Sequence, residues 1–591
     1  MSRKKKDAAS GREPTQPGWI PFALFLLALS LRLLFWQATP DRSWAYSAAY
    51  QGDAMVWLDY AAALKSDLPF AQNLPLRPPG NAYLVALLWD GTPSGFFALK
   101  LFWCLLGALA VPLFFRALRD AFSYPVALAA GLVLAASSPL LMFATSINNE
   151  APYLLLVAIL FASWRGVCSS PSLPRLLSWG FVNALACLFR AEHLLFFLLG
   201  TAGLLALSWR HDRIGTTWKV IGRRFAWVAA AAFVCLLPWH LEAWAACRDF
   251  NRLEPQVPPA TAQAQAAIES QLAFLSWEDG ARELGDRLPA FSRRTMKTFV
   301  AATVAMRGGT RVTANDFAIL DQAFGWRPEP ISEHPLLALY GGLNFYLANP
   351  GDGEGGFSRA ALEAPPPLEG GIGRYPAMLV GGLPPNDLAL SYPPHLAAVN
   401  HGYALGLAWL RDHLGAVPGL LFAKARIFWS GAAPGLGGFN APLGLSGERR
   451  RVDLTVAQGP LASAWRLLIL AFFLLGLWSC RRRVEALPFA LLFLNQAVAS
   501  LAFFGYARLG ALALPAVAAF VACGVAALPW PARFTAAPRI LRGALVVGAL
   551  LLLSEAIRTA HGEVPYLDGR STAQGDPYNP DLHENRQLEM R

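Results

Sequence analysis

Four charged residues stand at the edges of apolar runs. They are Asp53 in Tyr50-Gln-Gly-Asp-Ala-Met-Val-Trp57-Leu-Asp-Tyr60, Glu150 after Asn148-Asn149, Arg190 in Phe189-Arg-Ala-Glu192, and Arg508 in Phe504-Gly-Tyr-Ala-Arg508. Arg77, in Arg77-Pro-Pro-Gly80, and His240, in Pro238-Trp-His240, are placed in the same way. Ionisable groups held at membrane depth are costly and mark function by default. A carboxylate there can accept the proton of an attacking hydroxyl, and a guanidinium can hold an anion by paired hydrogen bonds. If Asp53 begins a short helix, Trp57 and Tyr60 follow at i+4 and i+7, so a carboxylate and two aromatics share one face. The same residues also fit an ordinary external loop with its aromatics in the interfacial belt. Arg190 could snorkel from a helix end, Glu150 could be a solvated loop residue, and Arg508 could anchor a helix end.

The elements that would position these groups are membrane helices. Of 591 residues, 55% are hydrophobic and 15% charged, where soluble domains carry roughly a quarter charged. The formal net charge of +11 is read as topology, because short basic loops stay cytoplasmic, and not as a nucleic-acid footprint. The seven cysteines fall mostly in apolar runs and show no disulfide framework or zinc spacing. The basic N-terminal tail, 1–17, precedes an apolar run of spanning length with no small-residue cleavage site, so the first helix is expected to be retained.

In chain order, helices are expected at about 18–37, 96–115, 125–144 and 151–164. The first external loop, 38–95, carries Asp53 and a short apolar piece, 81–89, that lies on or dips into the membrane. Residues 176–209 are long for one span and short for two, with Arg190 and Glu192 in the middle. The arginines after Trp209 require the chain to return inside, so two short helices are expected and Arg190 should be recessed. A seventh helix at about 225–242 completes the first membrane region, 18–242. Segment 243–462 has no clean run of spanning length and many Pro and Gly, and is expected to be an extracytoplasmic domain of mixed structure, its tail 417–429 an interfacial helix. Helices at about 463–480, 486–506, 509–529 and 541–557 make up the second membrane region, 463–557, and leave the tail 558–591 outside. The fold class is a polytopic α-helical membrane protein with about 11 transmembrane helices.

The chain resembles the GT-C membrane glycosyltransferases, among them bacterial relatives of the protein O-mannosyltransferases and lipid A aminoarabinose transferases. The resemblance lies in Gly52-Asp53-Ala, Arg77-Pro-Pro-Gly80, Asn149-Glu150, Phe189-Arg190-Ala-Glu192 and Gly505-Tyr-Ala-Arg508, with Gly341-Gly-Leu-Asn344 through Asn349 and Ala423-Lys-Ala-Arg-Ile-Phe-Trp429 in the external segment. The order of these short motifs carries the match up to about residue 530. It implies transfer of one sugar from a polyprenyl-phosphate carrier to an acceptor hydroxyl on the extracytoplasmic side, with inversion, in a bacterial plasma membrane. Asp53 then takes the place of the acidic residue that acts on the acceptor, with Glu150 as a second catalytic carboxylate. Arg190, Arg508 and Arg77 would bind the donor phosphate, and Trp57, Tyr60, His240 and Asn344 would line the substrate cavity.

The acceptor is left as a lipid, glycan or protein. Where the protein mannosyltransferases carry Asp-Glu this chain has Asp53-Ala54, and where the aminoarabinose transferases carry a Glu two residues before their basic-Pro-Pro it has Pro75. No cofactor is implied outright; Asp53 and Glu150 could share a divalent Mg or Mn ion as hard oxygen ligands, though a third ligand is missing. A transporter or flippase of lipid-linked substrates is the alternative, and it would place functional charges near the bilayer midplane on discontinuous helices. A structural assembly protein with a partner-binding external domain is a third, which would leave Asp53 and Arg190 without a role.

Overall fold

The computed structural model describes residues 18–38, 57–58, 60–61, 64–65, 75–211, 218–252, 330–349, 355–356, 393–434 and 460–528. Asp53, the expected helix at 541–557 and both chain termini lie outside them. The described chain is helical, and no strand occurs among the described residues. Apolar sequence produces this directly, since a backbone without water must satisfy its N–H and C=O groups within the helix.

The N-terminal half runs through α1 (Ile20–Ala38), α2 (Gly80–Leu88), α3 (Pro93–Ala121), α4 (Tyr124–Ala136), α5 (Ser138–Thr145) and α6 (Glu150–Ser169). It continues with α7 (Leu173–Phe189), α8 (His193–His211) and α9 (Trp218–Arg252). The short α2 coincides with the short apolar piece expected at 81–89, and α7 and α8 are the two short helices expected on either side of Arg190. The helix expected at 125–144 is instead broken: α4 and α5 meet at a 48° bend. Pro139 explains the break, because it lacks a donor and its ring would clash with the carbonyl four residues back.

The C-terminal half contains α10 (Tyr340–Ala348), α11 (Pro393–Asp412), α12 (Val417–Ala432), α13 (Pro460–Cys480), α14 (Leu487–Ala502), α15 (Ala507–Leu512) and α16 (Leu514–Ala526). The helix expected at 509–529 is thus two pieces, with Pro515 opening the second. The external segment was expected to be mixed; its described parts, α10 to α12, are helical.

Five described helices are long and apolar enough to cross a membrane, or up to six if α4 and α5 form one broken span. Shorter apolar helices cover Ile20–Trp36, Leu173–Phe189, His193–Leu207 and Leu514–Ala526. Seventeen residues, as in α7, reach about 25 Å at 1.5 Å per residue, short of a roughly 30 Å hydrocarbon core. A helix of that length can hold its terminal polar residue below the surface of the bilayer.

One large apolar core joins α1, α3 to α9 and α12 to α16. A second, smaller core places Cys247 of α9, Leu343 and Tyr346 of α10 and Val399 of α11 against Phe504. α10 and α11 are therefore packed on the turn that precedes Arg508. That turn is fixed from below as well. A Cβ on Gly431 would lie 1.8 Å from Ala507 O, and one on Gly510 1.9 Å from Phe428 O. Only glycine permits α12 and α15 to touch backbone to backbone at this crossing.

Candidate functional site

Glu150, Arg190 and Arg508 come together at the ends of three helices. Glu150 is the first residue of α6 and is fully buried, where the helix N-terminus favours a carboxylate. Arg190 caps the C-terminus of α7, its N–H donating to Ala186 O at 2.9 Å. Arg508 lies in the first turn of α15. Arg190 Nη1 donates to Glu150 Oε1 at 2.8 Å, and Arg508 Nε donates to the same oxygen. Arg190 Nε donates to Glu192 Oε1, and Nη1 also reaches Asn149 Oδ1 at 3.3 Å. Asn149 is in turn fixed by donating from Nδ2 to Phe189 O at 2.9 Å.

The two arginines are not equally enclosed: their side chains are 12% and 23% exposed for Arg190 and Arg508. Glu150 Oε1 thus takes two charge-assisted bonds. Its Oε2 is buried and has no hydrogen-bond partner among the described residues. Arg190 Nη2 also makes no hydrogen bond with a described residue. The result is a guanidinium held on two sides with its third nitrogen uncommitted among the described residues.

A buried polar chain stands behind Arg190, whose guanidinium lies 6.0 Å from the Tyr153 ring centre. Tyr153 Oη is 3.1 Å from His193 Nδ1, and His193 Nε2 is 3.1 Å from Asn183 Oδ1. Gln496 Nε2 donates to Tyr153 Oη at 3.2 Å. Since Asn183 Oδ1 can only accept, the network assigns the imidazole proton to Nε2, so that Nδ1 accepts from the tyrosine hydroxyl. Asn183, His193 and Gln496 are fully buried. Sequence reasoning missed Tyr153, Asn183 and Gln496 as members of the site. Polar residues within apolar helices were the available signal, and Tyr153 also falls at i+3 from Glu150.

The other expected site residues occupy different places. Arg77 has its guanidinium 5.7 Å from the ring centres of both Trp57 and Tyr340, between the chain ahead of α2 and α10. Backbone bonds from Leu339 N to Pro75 O (2.8 Å) and Tyr340 N to Leu76 O (3.2 Å) make the same link. Arg77, expected as a donor-phosphate ligand, thus bridges Trp57 and α10. Trp57 and Tyr60 are buried and pack with Ala82 of α2 in a small core. His240 is half-buried on α9 and Asn344 half-buried on α10. Next to His240, Trp239 Nε1 donates to Leu337 O at 3.0 Å, which pins α9 to the chain just before α10. Asp53 lies outside the described residues.

Asp53, one of the two oxygen ligands expected for a divalent cation, lies outside the described residues. Glu150 and Glu192 each face a guanidinium, and no group of three metal-ligating side chains occurs among the described residues.

No protein-family model matches the chain, and no curated protein matches it. Among solved structures it is similar to the archaeal oligosaccharyltransferase AglB from Archaeoglobus fulgidus, in complex with an inhibitory peptide and a dolichol-phosphate, at 11% identity and a TM-score of 0.38. The similarity covers 97% of this chain, and the chain spans 60% of that protein's length.

Proposed function

We propose that this chain is an integral-membrane glycosyltransferase that moves a single sugar from a polyprenyl-phosphate donor to an acceptor hydroxyl on the extracytoplasmic face of a bacterial plasma membrane. The observation that carries this is the convergence of Arg190 and Arg508 on buried Glu150 at three helix ends. Glu150 orients both guanidiniums, and Arg190 Nη2 is left to receive a phosphate oxygen. Rigid donors aimed at a leaving group stabilise the charge that develops on it, without reorganisation during the reaction.

The reaction balances in one displacement. The acceptor oxygen forms a bond to the anomeric carbon while the bond from that carbon to the phosphate oxygen breaks, and the configuration inverts. The hydroxyl proton passes to a carboxylate, for which Asp53 in the first external loop is the candidate. Glu150 Oε1 is already committed to two guanidiniums, so its place is to hold the arginines. The lipid phosphate leaves as an anion on the arginines.

A transporter of lipid-linked substrates would bind the same phosphate and release it unchanged. The purified protein in nanodiscs, given radiolabelled polyprenyl-phosphate sugars and a cell-envelope extract as acceptor source, is expected to release lipid phosphate in step with sugar transfer. Donor recovered intact across the panel would overturn the glycosyltransferase assignment. Arg190→Lys tests the phosphate site, since lysine keeps the charge but loses the fork that meets Glu150, Glu192 and an incoming oxygen together. Donor affinity is expected to fall by about tenfold or more with the fold intact, as for loss of a hydrogen bond to a charged group. Equal affinity in titrations against the wild type would remove Arg190 from the site.

A further inference from the structure

Lys424 is buried to 0% exposure on α12, a helix read as interfacial, and belongs to none of the groups above. Its Nζ donates to Asn349 Oδ1 at 2.9 Å and to Leu501 O at 3.2 Å. Asn349, also buried, donates from Nδ2 to Phe345 O at 2.7 Å and to Ala502 O at 3.3 Å. Leu501 and Ala502 are the last two residues of α14. Their carbonyls belong to the four at a helix C-terminus that the helix itself leaves without partners, and a cation there also complements the helix dipole. Burial pushes the ammonium down to about 8, so it remains mostly charged at neutral pH.

The chain leaving this cap goes straight to Arg508. Gly505 N donates to Gly355 O at 2.8 Å, and a Cβ on Gly505 would lie 2.6 Å from Lys424 Cα. Gly355, at φ +74°, lies against the Lys424 backbone, a left-handed conformation that suits glycine. Three residues after Gly505, Arg508 meets Glu150. Three separate parts of the external segment, at Asn349, Gly355 and Lys424, therefore hold the five-residue link between α14 and Arg508.

We infer that Lys424 and Asn349 are positioning residues for the donor-phosphate site, capping α14 so that its exit turn delivers Arg508 onto Glu150. The inference rests on the assignment of Arg508 to the donor phosphate. It gives the external segment a part in donor binding at a distance, through the exit turn of α14. A residue that acts only through Arg508 loses its effect once Arg508 is gone, whereas a residue that merely supports the fold does not.

The test is a double-mutant cycle on the full chain in nanodiscs, reading the affinity for polyprenyl phosphate. Lys424→Met keeps an unbranched side chain and removes a desolvated charge, so the packing of α12 survives. In the wild-type background it is expected to weaken binding about tenfold, as for loss of hydrogen bonds to a charged group. In an Arg508→Ala background it is expected to weaken binding no further. Asn349→Ala, which removes the second carbonyl cap, should show the same non-additivity and serves if Lys424→Met folds poorly. Equal weakening in both backgrounds, or none in either, overturns the positioning role while leaving the donor site standing. Polyprenyl phosphate that binds Arg508→Ala as tightly as the wild type overturns the donor-site assignment and the positioning role with it.

Discussion

Asp53→Asn is expected to cut turnover by about 10²–10⁴-fold while leaving donor binding largely unchanged. The side chain keeps its size and nearly its shape but cannot accept a proton. A loss of that range corresponds to roughly 3–5 kcal/mol in the barrier. Donor affinity should survive because the carrier phosphate is assigned to arginines on α7 and α15. The elements that follow Asp53 are anchored: Trp57 and Tyr60 are packed on α2, and Trp57 also faces Arg77. An external-loop residue without a catalytic part would give a near-neutral change, since surface substitutions usually fall within about 0.5 kcal/mol. Single-turnover kinetics with pre-bound donor separate the two. Wild-type transfer by a folded Asp53→Asn protein would remove the general base and favour the transporter.

The membrane helices were legible because apolar length and basic loops are local signals. Placing the arginines after Trp209 inside required two short helices, and the break appears at Arg190–Glu192. The bend between α4 and α5 was equally available in Ser137-Ser138-Pro139, but an uninterrupted apolar run masked it. The sequence could put Glu150, Arg190 and Arg508 at one boundary. It could not show that Arg508 reaches a carboxylate 358 residues earlier, because that contact depends on α12 and α15 crossing at two glycines.

Buried cations were the least legible class. Arg32 sits inside the first apolar run, fully buried, and donates from Nη1 to Ala28 O at 3.0 Å and Ala135 O at 3.3 Å. Such a group is tolerated because backbone carbonyls near a helix break supply the partners that lipid cannot. Lys424 enters the sequence reading only as a member of the run Ala423-Lys-Ala-Arg-Ile-Phe-Trp429. Its meaning lies in the helix end it caps, and that end is 77 residues away.

Glu150→Gln is expected to lower both stability and donor binding, and that combination distinguishes an organising carboxylate from a catalytic one. Oε1 serves two guanidiniums at once, so the substitution replaces two charge-assisted bonds by weaker bonds to an amide oxygen. Breaking a buried pair by removing one partner typically costs about 3–5 kcal/mol, because the remaining charge is uncompensated. Here Arg190 keeps Glu192, so the loss should fall toward the lower end of that range. Both arginines also gain freedom to turn from the phosphate. If Glu150 were the base, the same substitution would leave stability and donor affinity intact and reduce turnover alone. The orphaned Oε2 sharpens the contrast: it is buried without a partner among the described residues, and an amide nitrogen at that position would be a buried donor with nothing to receive it. Thermal unfolding in detergent, read beside polyprenyl-phosphate titration, separates the outcomes. A Glu150→Gln protein as stable as the wild type, binding the lipid phosphate as tightly, would mean that Glu150 does not hold the arginines in place.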